Sequence, residues 1–156
     1  SLLGSIADFI SKNQNSTAAT NGMLRALLKQ DLHEFKNKMH ALFSGIAYNN
    51  FTGVKLYEYE GYYVSVFYAY IKALGIELIA EDVTNKGRID MTIKLPETIY
   101  VIEFKVNTHS DTNALQQIKE RNYHDKYLSD GRDVVLIGIE FDGKERNISK
   151  LEFEKV

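Results

Sequence analysis

The stretch Gly87-Arg88-Ile89-Asp90-Met91-Thr92-Ile93-Lys94-Leu95-Pro96-Glu97-Thr98-Ile99-Tyr100-Val101-Ile102-Glu103-Phe104-Lys105 decides the fold. Its two arms read as strands over 88–95 and 99–106, joined by a tight turn at Pro96-Glu97. With the hairpin symmetric about that turn, Leu95 faces Thr98, Lys94 faces Ile99, and Asp90 lands opposite Glu103. Opposed residues in an antiparallel pair hold their Cβ atoms roughly 4.5–5.5 Å apart, where like charges are destabilising. A divalent cation turns that repulsion into attraction. A register slip of one residue sends Asp90 to the other face, so the reading requires an even, unbulged turn.

Glu103 and Lys105 are two apart and share a strand face, behind Ile99 and Val101. Tyr100, Ile102, Phe104 and Val106 line the other face. By itself Glu-x-Lys is usually a solvated strand end; Asp90 changes its weight, because it alternates with Ile89 and Met91 and leaves their face. Upstream, Glu60 to Leu74 reads as a helix with Val64, Phe67, Ile71 and Leu74 facing the core, and Gly75 stops it. Glu60 stands in line with that stripe. The helix dipole favours an acid there, but a buried carboxylate needs a partner or a cation. Downstream, Asp111 to Leu128 reads as a helix with Leu115, Ile118 and Tyr127 inward. Gln117 shares a face with Ala114, Arg121 and His124; a mid-helix Gln is commonly a surface residue. Lys119, Arg121 and Lys126 are surface charges able to meet phosphates.

Around this centre the pattern continues. Residues 1–12 form an amphipathic, helical stretch and 13–17 a polar loop. Met23 to Gln30 has helical spacing (Leu24, Leu27, Leu28). Asp31 caps a helix to Ser44 with Leu32, Phe35, Met39, Leu42 and Phe43 inward, and Gly45 ends it. Residues 46–58 read as loop or short turns. Strands are expected over 76–83, 134–141 and 147–154, with turns at 84–87 and 142–143. The order is helices, then α-β-β-β-α-β-β: an α/β mixed sheet flanked by helices, with one crossover helix. Residues 1–57 are expected to form a helical segment packing on a core of 58–156.

At 156 residues the chain suits one domain. Cysteine is absent, which excludes disulfides and Cys-based zinc sites. The net charge of -2 leaves phosphate binding to local patches. No apolar run is long enough to span a bilayer and no signal peptide opens the chain, so a cytoplasmic enzyme is expected. The chain begins with Ser rather than Met, which suggests an excised fragment or a cloning remnant. The four His show no His-x-x-x-His pair, and no phosphate-binding glycine loop or Gly-x-Ser-x-Gly occurs.

An upstream helix acid, an Asp, a hairpin, Glu-x-Lys and a downstream helix Gln together resemble the PD-(D/E)XK nuclease superfamily. Glu60-Gly61-Tyr62-Tyr63-Val64-Ser65-Val66-Phe67-Tyr68, Asn85-Lys86-Gly87-Arg88-Ile89-Asp90, Glu103-Phe104-Lys105, Ala114-Leu115-Gln116-Gln117-Ile118-Lys119 and Tyr123 look like one branch of it. That branch is a bacterial nuclease-like domain found C-terminal to a predicted AAA-type ATPase domain. The resemblance is strong over 58–141 and weaker over 23–50. It implies a restriction-endonuclease-like α-β-β-β-α-β core and Mg²⁺-dependent (Mn²⁺ as substitute) hydrolysis of phosphodiesters, with DNA as substrate and endonucleolytic cutting by analogy. It also implies roles. Asp90, Glu103 and the Phe104 backbone carbonyl would hold the metal, with Glu60 completing the acidic cluster. Lys105 would activate water and stabilise developing charge, and Gln117 would support the site. Ile89 stands where some members have Pro. A catalytically weak nucleic-acid-binding module, or an interaction domain docking the ATPase, is the alternative.

Overall fold

The computed structural model describes residues 17–46, 60–106 and 113–156. The helix expected over 1–12 and the loop over 47–58 lie outside these residues. The described elements are α1 (Thr17–Leu28), α2 (Leu32–Ser44), α3 (Glu60–Ala73), β1 (Glu77–Thr84), β2 (Gly87–Lys94), β3 (Thr98–Val106), α4 (Ala114–Arg121), a 3₁₀ turn (Tyr123–Tyr127), β4 (Asp133–Asp142) and β5 (Asn147–Lys155). Among them, five strands form one sheet in the order β1-β2-β3-β4-β5. The β3–β4 pair is parallel and the other neighbours are antiparallel. A parallel pair needs a crossover, and α4 supplies it. This is the mixed α/β sheet flanked by helices that the order of elements predicts. No described helix is long and apolar enough to cross a membrane.

Local chemistry sets the boundaries. Asp31 Oδ1 accepts from the Glu34 N–H at 3.1 Å and starts α2, and the Gly45 N–H bonds back to Ala41 O and Leu42 O at its end. Gly75, at φ 76°, closes α3. The helix expected to run to Leu128 is shorter. Asn113 Oδ1 caps α4 by accepting from Gln116 N–H at 2.7 Å, and Asn122 at φ 52° turns the chain into the 3₁₀ segment. His124 therefore leaves the helical face of Gln117 and lies buried on that segment.

Two apolar clusters sandwich the sheet. On one side Met91, Ile93, Tyr100, Ile102, Phe104, Ile137 and Phe141 pack with residues of α1, α2 and α3. On the other, Ile89, Ile99, Val101, Val134 and Leu136 pack with Ile118, Tyr123 and Tyr127. Burial on both faces accounts for the unbroken Val134-Val135-Leu136-Ile137 run in β4. In α3 the buried residues are Tyr62, Tyr63, Val66, Phe67, Tyr70 and Ile71, while Val64 and Leu74 are only half-buried. The stripe is rotated because large rings fill the interface: Tyr63 stacks on Phe141 at 4.3 Å between centroids, and Phe67 meets Phe104 edge-on at 5.2 Å.

Polar ties fasten the first two helices to the sheet. Gln30, at φ 57° in the α1–α2 turn, donates from Nε2 to Thr98 Oγ1 at 3.0 Å and to Asp133 Oδ2 at 2.9 Å. The buried Tyr100 hydroxyl donates to the Leu27 carbonyl. Replacing Tyr100 by Phe removes this bond with little change of shape. Stability should fall by about 1 kcal/mol, read as a lower urea midpoint at unchanged slope.

Candidate active site at the carboxyl end of β3

The hairpin has the register its sequence requires. Leu95 N–H donates to Thr98 O at 2.8 Å, and the ladder runs from Lys94↔Ile99 to Met91↔Ile102. The next rung would pair Asp90 with Glu103, and there the ladder stops. Asp90 Oδ2 instead accepts the Phe104 N–H at 2.9 Å, so a side chain takes the place of a strand carbonyl. The β1–β2 ladder also skips this rung: Ala80↔Met91 and Asp82↔Ile89 pair, while Glu81 lies between them at φ 52°. A left-handed residue in a strand is strained. One consequence departs from the expected alternation. Ile89 joins the second cluster and Met91 the first, so these two do not share a face.

Glu103 is buried on β3. Its Oε1 accepts from Gln117 Nε2 at 2.6 Å, while its Oε2 is buried without a hydrogen-bond donor at bonding distance. The Asp90 carboxyl lies within hydrogen-bonding reach of it. Burial, then the Asp90 and Glu60 carboxylates, push the Glu103 carboxyl up to about 8, with Lys105 pulling the other way. Burial also raises Asp90 above the usual carboxylate range. Glu60 opens α3. It is exposed as a residue, not sunk in the core stripe, yet it lines the cleft. There desolvation and Asp90 raise its carboxyl to about 6. Lys105 is half-buried and makes no ion pair within 4 Å among the described residues, although its charge reaches Glu60 and Glu103.

Glu60, Glu103, Phe104, Lys105, Val106 and Gln117 thus line one cleft of about 400 Å³, and Asp90 is tied to it through the Phe104 N–H. It lies at the carboxyl end of β3, where open α/β sheets usually bind ligands. A roomier groove of about 480 Å³, lined by His40, Ser44, Asp142 and Asn147 among others, contains none of these groups. Chemistry rather than volume selects the smaller cleft. Among the described residues no three His, Cys, Asp or Glu side chains form a ready cation cage. The donorless Glu103 Oε2 and the nearby Asp90 carboxyl nevertheless suit a hard cation, which takes oxygen ligands and keeps waters for the rest of its shell.

Two contributors escaped the sequence reading. Gly138 is the β4 partner of Glu103. A Cβ there would lie 2.3 Å from Leu115 N and 2.9 Å from its Cα, so only glycine lets the start of α4 settle onto the strand and bring Gln117 to Glu103. Asp82, buried on β1, accepts from Thr92 Oγ1 at 2.8 Å, from Lys126 Nζ at 2.6 Å and from the Tyr127 hydroxyl. Burial opposes its charge, but these donors outweigh burial and hold the carboxyl below its usual range. A glycine in an apolar strand and an acid in an edge strand carry no signal until their partners are known.

Substituting Ala at Gly138 drives a methyl group into backbone. It should lower stability by about 1–3 kcal/mol, measured by urea denaturation. Glu103 yields a pH prediction. Its folded value of about 8 exceeds the ordinary 4.5, so the folded chain binds more protons than the unfolded one. Cation-free stability should therefore fall as pH rises from about 5 to 8, and Glu103→Gln should remove most of that slope in thermal melts across this range.

Residues 58–151 match the PD-(D/E)XK nuclease superfamily. An uncharacterised protein in the vnfD 5′ region of Azotobacter chroococcum mcd 1 is 37% identical over 130 residues, which is 83% of this chain and 25% of that protein. The chain thus spans about a quarter of the length of that relative. No solved structure matches the chain significantly. Superfamily members are usually nucleases and typically use divalent metal ions. Because the match covers the sheet from the helix bearing Glu60 to the middle of β5, the chain belongs to the PD-(D/E)XK nuclease superfamily.

Proposed function

We propose that the domain is a Mg²⁺-dependent nuclease that cuts phosphodiester bonds of DNA endonucleolytically. The observation that carries this reading is the proximity of the Asp90 and Glu103 carboxyls just beyond the end of the hairpin ladder, with one buried Glu103 oxygen lacking a donor and Lys105 in the same cleft as Glu103. Asp90, Glu103 and the Phe104 carbonyl would hold the cation, with Glu60 completing the acidic cluster. A bound divalent ion polarises the phosphate and lowers the pKa of its water. Gln117 holds Glu103 by one oxygen and leaves the other without a donor. Lys105 places a compact positive charge where the phosphoryl oxygens gain negative charge, and it orients the attacking water. Raised carboxyls fit this reading, since each prefers a proton or a cation to ionisation alone.

The domain works, in this reading, as part of a longer protein that carries an AAA-type ATPase domain. The quarter-length coverage of the Azotobacter relative agrees with a larger parent chain.

Plasmid and short single-stranded DNA incubated with increasing Mg²⁺ or Mn²⁺ should be cut only when cation is present. Lys105→Ala should lower turnover about 10²–10³-fold while cation affinity, measured by calorimetry, changes little. Asp90→Ala should lose both. Cutting that persists at the wild-type rate in either variant removes the assignment.

A further inference from the structure

The cations around the cleft divide into those already neutralised and those left over. Lys126 is taken by Asp82 at 2.6 Å, Lys119 by Glu154 at 2.8 Å, and Arg88 by Glu81 at 3.5 Å. Arg121 has no carboxylate within 4 Å among the described residues, although it is fully exposed at the end of α4. Its Nη1 donates instead to the Tyr123 hydroxyl at 2.8 Å, and its guanidinium lies 6.0 Å from that ring's centroid. One of five donors is so used, and the full charge remains.

The post that holds Arg121 is rigid. Tyr123 is buried against the β1–β2 turn. At Gly87, φ 139°, an added Cβ would come within 2.9 Å of the Tyr123 ring, so the ring rests on bare backbone. Arg121 also has a defined place relative to the acids. It follows Gln117 by four residues on α4, hence on the same helical face about one turn on, about 6 Å along the axis. Gln117 holds Glu103, and the charge of Glu103 is felt at Arg121. A prepositioned, unpaired guanidinium is the group that best takes a phosphate through two parallel hydrogen bonds.

We propose that Arg121, braced by Tyr123, anchors the phosphate neighbouring the one held at the acidic cleft, so that the site takes a nucleic-acid strand rather than an isolated phosphate ester. The inference rests on the nuclease reading and specifies its substrate contact. Arg121 is a binding residue here, with Tyr123 positioning it.

The test separates binding from cutting. Fluorescein-labelled DNA and RNA of the same sequence, single-stranded and duplex, are titrated with wild type, Arg121→Gln, Arg121→Lys and Tyr123→Phe. Anisotropy is read in Ca²⁺ without Mg²⁺, over a range of NaCl. Arg121→Gln should weaken binding about tenfold and reduce the slope of log affinity against log salt by about one. Tyr123→Phe should fall between Gln and wild type, and Lys should restore the salt slope but not the full affinity. Where cutting is measurable, KM should rise more than kcat falls. Melting temperatures of the Arg121 variants should match wild type, because the side chain is exposed. Wild-type affinity and salt slope in Arg121→Gln on all four nucleic acids overturn the proposal, as does a kcat loss at unchanged KM. Arg121-dependent binding by a wild type that cuts nothing upholds the anchor while removing the nuclease reading.

Discussion

Two carboxyl groups where a hairpin ladder ends, Asp90 and Glu103, each one residue beyond the last pair Met91↔Ile102, are the constraint around which the rest of the molecule is arranged. In water such a pair would simply separate. Here the strands bearing them are gripped on both faces by apolar clusters, and neither strand can move without exposing core. Burial first, and at Glu103 the neighbouring carboxylates second, therefore raise proton affinity. A carboxyl held this way has two escapes, a proton or a cation. That preference turns a folded sheet into a chemical site.

The sheet yields locally to make this possible. The β1–β2 ladder is regular on either side of Glu81 but skips Asp90, and the β2–β3 ladder ends at Met91↔Ile102 just before it. Glu81 takes a left-handed conformation and the Asp90 side chain captures a strand N–H. Such strain persists only where the surroundings overdetermine it. The surroundings here include the Asp82 cluster, one residue beyond Glu81 on β1, which bonds to Thr92 of β2 and pins the 3₁₀ turn to the edge strand through Lys126 and Tyr127. The same turn carries Tyr123, on which Arg121 rests.

Long-range ties make α1 and α2 part of the same body. Gln30 reaches the first residues of β3 and β4, Tyr100 reaches back to Leu27, and Asn147 Nδ2 donates to His40 O at 3.2 Å and Ser44 Oγ at 2.9 Å. Their apolar residues belong to the cluster that supports the back of β3. A shift of these helices would be felt by Phe104, whose main chain faces Asp90. The helical region and the acidic cleft are thus mechanically connected.

From its residues alone the chain declared the strands, the crossover and the hairpin register, because alternation, a single Pro-Glu turn and terminal Asp31, Gly45 and Gly75 are local signals that neighbours in sequence decide. The opposition of Asp90 and Glu103 followed from counting back from that turn. The shorter α4 did not, since Asn113 and Asn122 both suit a helix interior poorly yet neither marks an end until the backbone is seen. Tertiary structure alone decided the rest: the flip that parts Ile89 from Met91, the exposure of Glu60, the bare contact at Gly138 and the bracing of Arg121. Each depends on an atom supplied by a distant part of the chain, and no periodicity within one segment encodes where that atom will be.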